Sequence, residues 1–479
     1  MTYTQPLWTS DEIAKGVGER AAGRWVAEGV AVDSREVVPG DLFVALPGSL
    51  HDGHDFVARA LAAGAAGALV ERSPQGVVED DPRLIRVEST QAALRALGAA
   101  ARERMTGKVI AVTGSVGKTS VKDALKQALG RSAASHAGLR SFNNHVGLPL
   151  SLARMPRDAR YGIFELGMNA PGEIAPLSEL VRPDVAVITT VGAAHAGAFA
   201  SEAEIAEEKA GIFAGLAPGG TAILNIDHPH AALLRDRAGQ AGAEIVTVSM
   251  TDETADVHPL RLVLHDEVSC LTARLGEQVA AIKVGVPGRH WVMNALLVLA
   301  AARAAGGDLA LAGLALGDLR IPDGRGTRHW VPVPGGSVRL IDDAYNANPL
   351  SMAAAFASLR ACRPEPGGRR IAVLADMAEL GERSRQLHLD LAASLKAAEV
   401  AEVIAIGEHT RAMADAAGIP ATACADIATA LERLRHNLRP GDVVLVKGAN
   451  RAGLGQLVAS LRAGGVGPRT RFPDIQAAE

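Results

Sequence analysis

A glycine-containing turn at residues 114–120 could bind the phosphates of a nucleotide. Apolar residues 109–113 precede it, and the run Gly114-Ser115-Val116-Gly117-Lys118-Thr119-Ser120 leads into a helical stretch. Backbone N–H groups of such a loop surround phosphate oxygens, the lysine reaches the β and γ phosphates, and the hydroxyl binds magnesium. The longer P-loop pattern has glycine where Val112 stands, so this is a shorter form. ATP is the expected ligand; a glycine turn that binds nothing is the alternative.

A carboxylate at the end of a second apolar strand could share a cation with that loop. Glu165 lies at the end of the apolar run at residues 161–166, and parallel strands of one sheet present their carboxyl ends at the same edge. Because Mg²⁺ prefers carboxylate and hydroxyl oxygens, Glu165 and Thr119 are a sensible pair around the magnesium of ATP. The alternative for Glu165 is an acid that faces solvent.

The elements that carry these residues indicate an α/β protein with three domains. Residues 1–104 combine short strands with an alanine-rich helix, as in a small α/β N-terminal domain. Residues 105–317 alternate apolar strands with helices, which predicts a central P-loop parallel-sheet ATPase domain. Period-two alternation in residues 260–287 predicts an antiparallel ribbon there. Residues 318–479 show a second alternation of strands and helices, which predicts a C-terminal Rossmann-like domain.

Length and composition exclude several classes of protein. A chain of 479 residues exceeds one compact core, and 48% hydrophobic against 21% charged residues is typical of a folded protein. The net charge of −4, without a long basic run, indicates neither nucleic acid nor a membrane surface as partner. Apolar stretches are too short to span a membrane, and residues 1–16 do not resemble a signal peptide. Three widely spaced cysteines form no disulfide framework or zinc pattern. We expect a cytoplasmic monomer with small-molecule substrates.

Lysine is scarce in this chain. Nine of the 49 basic residues are lysine and forty are arginine. Each lysine is therefore a candidate for chemistry that arginine cannot perform.

Motifs along nearly the whole chain resemble the Mur ligase family of ATP-dependent amide-forming enzymes of cell-wall precursor synthesis. They are the phosphate loop and the following runs: Asp33-Ser34-Arg35, Asp52-Gly-His54, Asn143-Asn144-His-Val-Gly147, Phe164-Glu165-Leu-Gly-Met168-Asn169, Glu208-Lys209, Asp342-Asp343-Ala-Tyr345-Asn346-Ala-Asn348-Pro349 and Asp376-Met-Ala-Glu379-Leu-Gly381. The run at residues 342–349 resembles the member that adds D-alanyl-D-alanine to UDP-N-acetylmuramoyl-tripeptide. The resemblance implies that ATP phosphorylates the acceptor carboxylate and that the dipeptide amine attacks the acyl phosphate.

The resemblance also implies a second magnesium ion and a modified lysine. It makes His195 a ligand of that ion, although a lone histidine in an apolar setting is commonly a packing residue. It makes Lys209 a carbamylated lysine whose anionic group helps to hold magnesium. The ordinary alternative for Lys209 is a helix ion pair with Glu204 or Glu208. Arginine cannot form a carbamate, so a lysine here favours the modified form.

Two further groups of polar residues receive roles from the same resemblance. Asn143 and Asn144 would hydrogen-bond the acyl phosphate or its carboxylate precursor, unless they only form a turn. Asn294 would lie near the adenine, although Trp291 replaces an asparagine expected three residues earlier.

Residues of the first and third domains complete the predicted site. Arg325 and the acids Asp342 and Asp343 would contact the ATP phosphates and ribose, and the third domain would close over the second. Tyr345, Asn346 and Asn348 would meet the dipeptide or the tripeptide end. Lys447 is a candidate for an anionic substrate group. Ser34 and Arg35 would contact the UDP moiety, the alternative for Arg35 being a surface salt bridge.

Two other functions stay open. One is a family ligase for a different amino acid or a folate-like acceptor, against which the run at residues 342–349 argues. The other is a nucleotide-binding regulator without catalysis, against which Glu165, His195 and Lys209 together argue, because binding ATP alone needs no second metal site.

Overall fold

The computed structural model describes residues 5–48, 51–138 and 141–463, so the last residues of the third predicted segment lie outside the described part. The chain forms two compact units. One contains residues 1–191 and 201–319, and the other contains residues 192–200 and 320–479. The nine residues 192–200 thus belong to the second unit although the first unit surrounds them in sequence. The three predicted domain ranges stay predictions.

The strands are β1 (Trp8–Thr9), β2 (Val26–Ala27), β3 (Gly29–Ala31), β4 (Asp41–Val44), β5 (Gly67–Val70), β6 (Leu84–Arg86), β7 (Lys108–Thr113), β8 (Ser135–Ala137), β9 (Tyr161–Glu165), β10 (Val185–Ile188), β11 (Thr221–Asn225), β12 (Glu244–Val248), β13 (Val257–Leu264), β14 (Ser269–Leu275), β15 (Gln278–Val284), β16 (Thr327–Val333), β17 (Gly336–Asp343), β18 (Arg370–Ala375), β19 (Glu402–Ile406), β20 (Ala421–Cys424) and β21 (Val443–Lys447).

The α-helices are α1 (Ser10–Gly16), α2 (Val57–Ala62), α3 (Thr90–Arg104), α4 (Lys118–Gly130), α5 (Gly147–Ala153), α6 (Ile174–Val181), α7 (Glu202–Ala210), α8 (Ala231–Gln240), α9 (Arg289–Ala304), α10 (Leu309–Gly317), α11 (Pro349–Ala361), α12 (Ser384–Leu389), α13 (Ala392–Ala397), α14 (Glu408–Ala417), α15 (Ile427–Asn437) and α16 (Leu454–Ala463). Short 3₁₀ turns cover Gly53–Phe56, Gly211–Phe213, Gly381–Arg383 and Asn450–Ala452.

A nine-stranded sheet organises the first unit, in the order β15-β14-β13-β12-β11-β10-β7-β9-β8. Strands β8 to β13 pair in parallel, and β13, β14 and β15 form an antiparallel ribbon. Both the parallel sheet and the ribbon were predicted, and both are confirmed. The two neighbours of β7 are β9 and β10, so the segments that follow these three strands leave the sheet at one edge. Open α/β sheets bind ligands at this edge.

The amino-terminal part of the first unit is a parallel sheet, β3-β4-β5-β6, with the small antiparallel pair β1-β2 beside it. Its core includes Leu150 and Ala153 of α5. The Trp8 indole donates to the Ala153 carbonyl at 2.8 Å, and Arg154 donates to the Val30 carbonyl at 2.5 Å. These contacts explain why the amino-terminal sheet and the nine-stranded sheet share one compact unit.

The second unit contains a six-stranded sheet in the order β16-β17-β21-β18-β19-β20. All neighbours pair in parallel except β16 and β17, which form an antiparallel hairpin. The apolar runs at residues 338–341, 371–374, 403–406 and 443–446 predict four strands, and β17, β18, β19 and β21 confirm them. Strand β16 was not predicted, and neither was β20. Apolar clusters cover both faces of this sheet, and Ala193 and Ala196 belong to one of them.

A helix that crosses a bilayer must be both long enough and apolar enough. None of the helices in residues 5–48, 51–138 and 141–463 meets both conditions.

Candidate active site

The phosphate loop lies between β7 and α4, and its glycines are required by conformation and by space. Gly114 has φ 146° and Gly117 has φ 87°, which are left-handed values. A Cβ at Gly114 would lie 1.9 Å from Thr189 Oγ1, and one at Gly117 would lie 2.9 Å from Asn294 Oδ1. Gly117, the N-cap residue of α4, has no side chain that could cap the helix. The first-turn N–H groups of that helix therefore face the loop, where they suit an anion.

The lysine of the loop folds back over it. Lys118 Nζ donates to the Gly114 carbonyl oxygen at 2.7 Å. The amine therefore lies over the turn, and its role toward phosphate stays a prediction.

Glu165 is buried beside the loop. Its side chain is 4% exposed, so the solvent-facing alternative is wrong. Oε2 accepts from Thr119 Oγ1 at 2.8 Å, and Oε1 accepts from Asn143 Nδ2 at 2.8 Å. Ser141 Oγ lies 3.3 Å from Thr119 Oγ1. Three hard oxygens thus meet at the start of α4, which is the donor set that magnesium takes.

One carboxylate suits magnesium bound to a nucleotide. Within the described residues, no group of three His, Cys, Asp or Glu side chains could hold a metal ion by itself. Magnesium usually binds through one or two carboxylates, several waters and substrate phosphates. The residues around Glu165 therefore fit the ion, with phosphate oxygens completing its coordination.

The two asparagines after residue 142 have different partners. Asn143 holds Glu165, whereas Asn144 Oδ1 accepts from the N–H groups of Val146 and Gly147 at 3.2 and 2.8 Å. The Asn144 oxygen therefore has the turn-forming role that was the alternative for these two residues. Asn143 lies directly at the site.

Lys209 is buried and does not form the helix ion pair considered above. It is 1% exposed, and its Nζ lies 3.7 Å from Met168 Sδ. Glu208 instead accepts from the N–H groups of Gly172 and Ile174 at 2.7 and 2.8 Å. Within the described part of the chain, no carboxylate pairs with Lys209. Burial holds the pKa of its amine well below the usual value, and the Lys118 charge lowers that pKa further.

The burial of the Lys209 amine suits the predicted carbamate. Only the unprotonated amine reacts with carbon dioxide, and desolvation favours that form. The positive charge of Lys118, which disfavours an ammonium group at Lys209, would favour an anionic carbamate there. The site residues therefore fit the modification.

His195 lies in the nine-residue segment that belongs to the second unit. Its Nδ1 is 2.6 Å from Glu379 Oε2, and its backbone is left-handed, with φ 58°. The N–H of Gly197 donates to the Glu379 carbonyl at 2.9 Å. The hydrogen bond from His195 lowers the pKa of Glu379. His195 is thus a held side chain rather than a loose one.

The second unit also brings together Lys447 and Asp343. Lys447 is 1% exposed, and its Nζ lies 2.9 Å from Asp343 Oδ2 and donates to the Asn346 carbonyl at 2.9 Å. Burial raises the pKa of Asp343, while the Lys447 charge opposes that rise. The sequence assigned these residues separately to substrate and nucleotide, and the structure joins them at the ends of β21 and β17.

Other predicted residues of the second unit lie around the same strand end. The Arg325 guanidinium stacks 4.1 Å from the Tyr345 ring centroid. Gly324 N–H donates to Asp342 Oδ2 at 3.1 Å, so the glycine turn that carries Arg325 is bonded to this strand end. Asn348 Oδ1 caps α11 by accepting from Ser351 N–H at 2.9 Å.

The remaining predictions concern the nucleotide-sugar and the adenine. Arg35 makes a two-pronged ion pair with Asp33 and is 76% exposed, as the surface alternative states. Ser34 Oγ accepts from Arg59, a residue that no motif singled out. Asn294 lies against Gly117 of the phosphate loop, and Trp291 is buried in α9. Roles toward UDP and adenine stay predictions.

Sequence reasoning missed two residues that hold the site. Thr189 contacts the phosphate loop from the end of β10, and Glu379 holds His195. Glu379 had appeared only as part of a motif. Thr189 and the phosphate loop are far apart in sequence, and so are Glu379 and His195, so no sequence spacing indicates either contact.

Comparisons with known proteins extend over the same regions. Residues 26–102 match the family model described as Mur ligase family, catalytic domain, residues 112–302 match the Mur ligase middle domain, and residues 329–450 match the Mur ligase, glutamate ligase domain.

Two relatives illustrate the similarity in sequence. The UDP-N-acetylmuramoyl-tripeptide--D-alanyl-D-alanine ligase of Mycobacterium tuberculosis (strain ATCC 25618 / H37Rv) is 36% identical, over 92% of this chain and 93% of that protein. The ligase of the same name from Escherichia coli (strain K12) is 33% identical, over 94% of this chain and 96% of that protein.

Two solved structures illustrate the similarity in fold. A crystal structure of MurF from Acinetobacter baumannii gives a TM-score of 0.83 at 29% identity, covering 96% of this chain and 100% of that one. MurF ligase from Thermotoga maritima in complex with ADP gives a TM-score of 0.75 at 26% identity, covering 91% of this chain and 97% of that one. The three-domain α/β architecture predicted from the sequence is thereby confirmed.

Proposed function

The chain belongs to the Mur ligase family, and from this premise we propose that it joins D-alanyl-D-alanine to UDP-N-acetylmuramoyl-tripeptide at the expense of ATP. The two substrates are proposed from the near full-length similarity to UDP-N-acetylmuramoyl-tripeptide--D-alanyl-D-alanine ligases. The contact between Thr119 and Glu165 beside the phosphate loop carries the chemistry. The product is a peptidoglycan precursor.

The reaction proceeds in two displacements. The carboxylate at the tripeptide end attacks the γ-phosphorus of ATP, and ADP leaves, giving an acyl phosphate. The amine of the dipeptide then attacks the acyl carbon, phosphate leaves, and the nitrogen loses a proton. Catalysis of such phosphoryl transfer is mainly positioning and neutralisation of oxygen charge.

The first unit supplies the phosphate and metal contacts. N–H groups of the loop and of α4 hold the phosphates, and Lys118 neutralises the β and γ oxygens. Glu165 and Thr119 would hold the magnesium ion that ATP brings, which neutralises the phosphoryl oxygens. Asn143 fixes the Glu165 carboxylate, and its amide would hydrogen-bond the acyl phosphate or its carboxylate precursor.

Lys209 and His195 are proposed to serve a second magnesium ion. Burial favours the unprotonated form of the Lys209 amine, and this form would add to carbon dioxide and lose a proton, so that the side chain would end in an anionic carbamate. His195 would contribute an imidazole nitrogen. Arg325, Asp343 and Lys447 would contact the nucleotide and anionic substrate groups, and Tyr345, Asn346 and Asn348 the peptide.

Phosphate release from ATP tests the proposal. The full chain with UDP-N-acetylmuramoyl-tripeptide and Mg²⁺ should release phosphate only when D-alanyl-D-alanine is added, and mass spectrometry should find the pentapeptide product. Glu165→Ala should abolish both signals.

The same assay separates the alternatives. Release that ignores the dipeptide but responds to a single amino acid would identify a family ligase of different specificity. Nucleotide binding without release on any acceptor would identify a regulator, which the buried Glu165 and Lys209 argue against.

A further inference from the structure

We propose that Thr189 is a positioning residue of the phosphate loop, whose hydroxyl holds the loop carbonyls outward so that its N–H groups face the nucleotide. The proposal rests on the ATP use proposed above. Nothing in the motifs pointed to this residue.

Strand register places Thr189 beside the loop. Strand β10 pairs in parallel with β7, and Ile188 and Thr113 form the last aligned pair. Thr189 N–H donates to the Thr113 carbonyl at 2.9 Å, just where β7 turns into the loop. The residue after the end of β10 therefore faces the first residues of the phosphate loop.

Two hydrogen bonds tie the loop to this point. Thr189 Oγ1 lies 2.5 Å from the Val116 carbonyl oxygen, to which it donates, and 3.2 Å from that of Thr113. Ser115 N–H donates to the Thr190 carbonyl at 2.8 Å. The middle of the loop is thus fixed from β10 by a side chain and by the backbone.

Thr189 is itself held rigidly. It is 2% exposed, and its carbonyl accepts from Asn225 Nδ2 at 2.7 Å. Asn225 ends the neighbouring strand β11. A side chain anchored from behind in this way can fix the geometry of what it contacts.

Gly114 leaves the space that the hydroxyl occupies. A Cβ on Gly114 would lie 1.9 Å from Thr189 Oγ1. A glycine at this position therefore permits the φ of 146° and also admits the threonine hydroxyl against the loop.

The direction of the Val116 carbonyl explains why the hydroxyl matters. In a phosphate-binding loop the N–H groups point toward the anion, and the carbonyl oxygens must point away and find donors elsewhere. A carbonyl without its donor is costly when buried and is free to turn toward the phosphate, which it repels. Thr189 Oγ1 supplies the donor for the Val116 carbonyl.

Thr189→Val removes the hydroxyl with little change of shape, and Thr189→Ser keeps it. The dissociation constant for ADP, measured by calorimetry, should rise about tenfold in Thr189→Val and change less than about threefold in Thr189→Ser. The KM for ATP should rise in parallel, while the KM for the nucleotide-sugar acceptor stays near that of the wild type.

Thr90→Val is the matched control. Thr90 is also a buried threonine of the first unit, and its hydroxyl donates to the Ala45 carbonyl at 2.8 Å, away from the phosphate loop. Loss of stability alone should appear in both variants, whereas weaker ADP binding should appear only in Thr189→Val. If Thr189→Val does not fold, Thr189→Ala replaces it.

The outcomes separate this inference from the proposed function. Wild-type ADP affinity in Thr189→Val or Thr189→Ala, or equal weakening in Thr90→Val, overturns the role of Thr189 and leaves the ligase proposal intact. A wild-type chain that binds no ADP overturns both.

Discussion

His195 Nδ1 lies 2.6 Å from Glu379 Oε2, and both residues have left-handed backbones, with φ values of 58° and 62°. Such conformations are costly for residues with a Cβ and persist where surrounding contacts hold them. A proton on Nδ1 donates to the carboxylate, so Nε2 is left as the nitrogen that can bind a metal ion. Histidine ligands of metals usually have a partner of this kind.

Glu379→Ala should therefore weaken the response to magnesium. Loss of the partner of a metal-binding histidine typically costs about 10- to 100-fold in metal affinity or activity. Ligase rate measured against Mg²⁺ concentration should shift by that factor, whereas Glu379→Gln, which keeps an acceptor oxygen, should shift less. The exposed Glu382 gives a control in Glu382→Ala. An unchanged magnesium curve for Glu379→Ala would contradict the role of the pair.

Gly167→Ala should damage the site without touching a reacting group. The new Cβ would lie 2.5 Å from Asn143 Cγ and would push the amide away from Glu165. A displacement of about 1 Å can cost about a hundredfold in rate. We therefore expect kcat to fall by about tenfold to about a hundredfold, while the melting temperature changes little.

Gly239→Ala is the control for this change, because nothing lies within 4 Å of the added methyl group. It should keep full activity and slightly stabilise α8. Wild-type kcat in Gly167→Ala would show that the Asn143 position is unimportant.

Lys209→Ala should be inactive and should regain part of its activity when formate or acetate is added, since a small carboxylate can occupy the space of the carbamate. Lys209→Arg should be inactive as well, because arginine forms no carbamate. Carbon-13 NMR with labelled bicarbonate should show a carbamate signal in the wild type that is lost in Lys209→Ala and kept in Lys126→Ala, which changes an exposed lysine. A fully active chain with an unmodified amine would exclude the carbamate.

Lys447→Ala should destabilise the second unit by about 3 kcal/mol, because breaking a buried ion pair leaves an uncompensated charge on Asp343. The double variant Lys447→Met with Asp343→Asn removes both charges and should recover a large part of that loss. Thermal unfolding of the full chain, compared across both variants, measures the effect. Equal loss in single and double variants would mean that packing, and not charge, dominates.

His136 should contribute to acid sensitivity. Burial lowers its pKa to about 4 from 6.5, and the neutral ring donates to the Ser151 carbonyl at 2.8 Å. The unfolded chain therefore binds a proton at higher pH than the folded chain does. The contribution of His136 to the free energy of unfolding is fully present above pH 6.5 and is lost as the pH falls to about 4. The total loss is about 3 kcal/mol.

His136→Gln should weaken the dependence of the free energy of unfolding on pH between pH 7 and pH 4. The free energy of unfolding measured from pH 7 to pH 4 should fall less in His136→Gln than in the wild type. His145→Gln, a change at an exposed histidine, should follow the wild type. Parallel curves for wild type and His136→Gln would place the acid sensitivity elsewhere.

Local pattern was sufficient to predict most strands of the two larger sheets and the proximity of Thr119 to Glu165. Buried parallel strands appear as short apolar runs, which located β7, β9, β11 and β12 closely. The common edge of parallel strands was enough to bring Thr119 and Glu165 together, and the structure joins them at 2.8 Å.

Contacts between distant residues were not predictable from spacing. The lysine count drew attention to Lys118, Lys209 and Lys447, but Lys122 is as buried as Lys209 and Lys447, and its amine donates to the Gly138 carbonyl at 2.9 Å. The partner of His195 lies in a different part of the chain, and so does the loop contact of Thr189. Strand β16 was missed because it is a half-exposed edge strand whose alternation is weak.

The second unit is discontinuous in sequence, and this affects how the protein can be made and divided. Ala193 and Ala196 belong to its core, yet the ribosome synthesises them long before β16. That core cannot close until translation has passed through the rest of the first unit. A gene fragment that starts at residue 320 would also lack these alanines, so the carboxy-terminal unit is not a module that can be cut out and exchanged at a single junction.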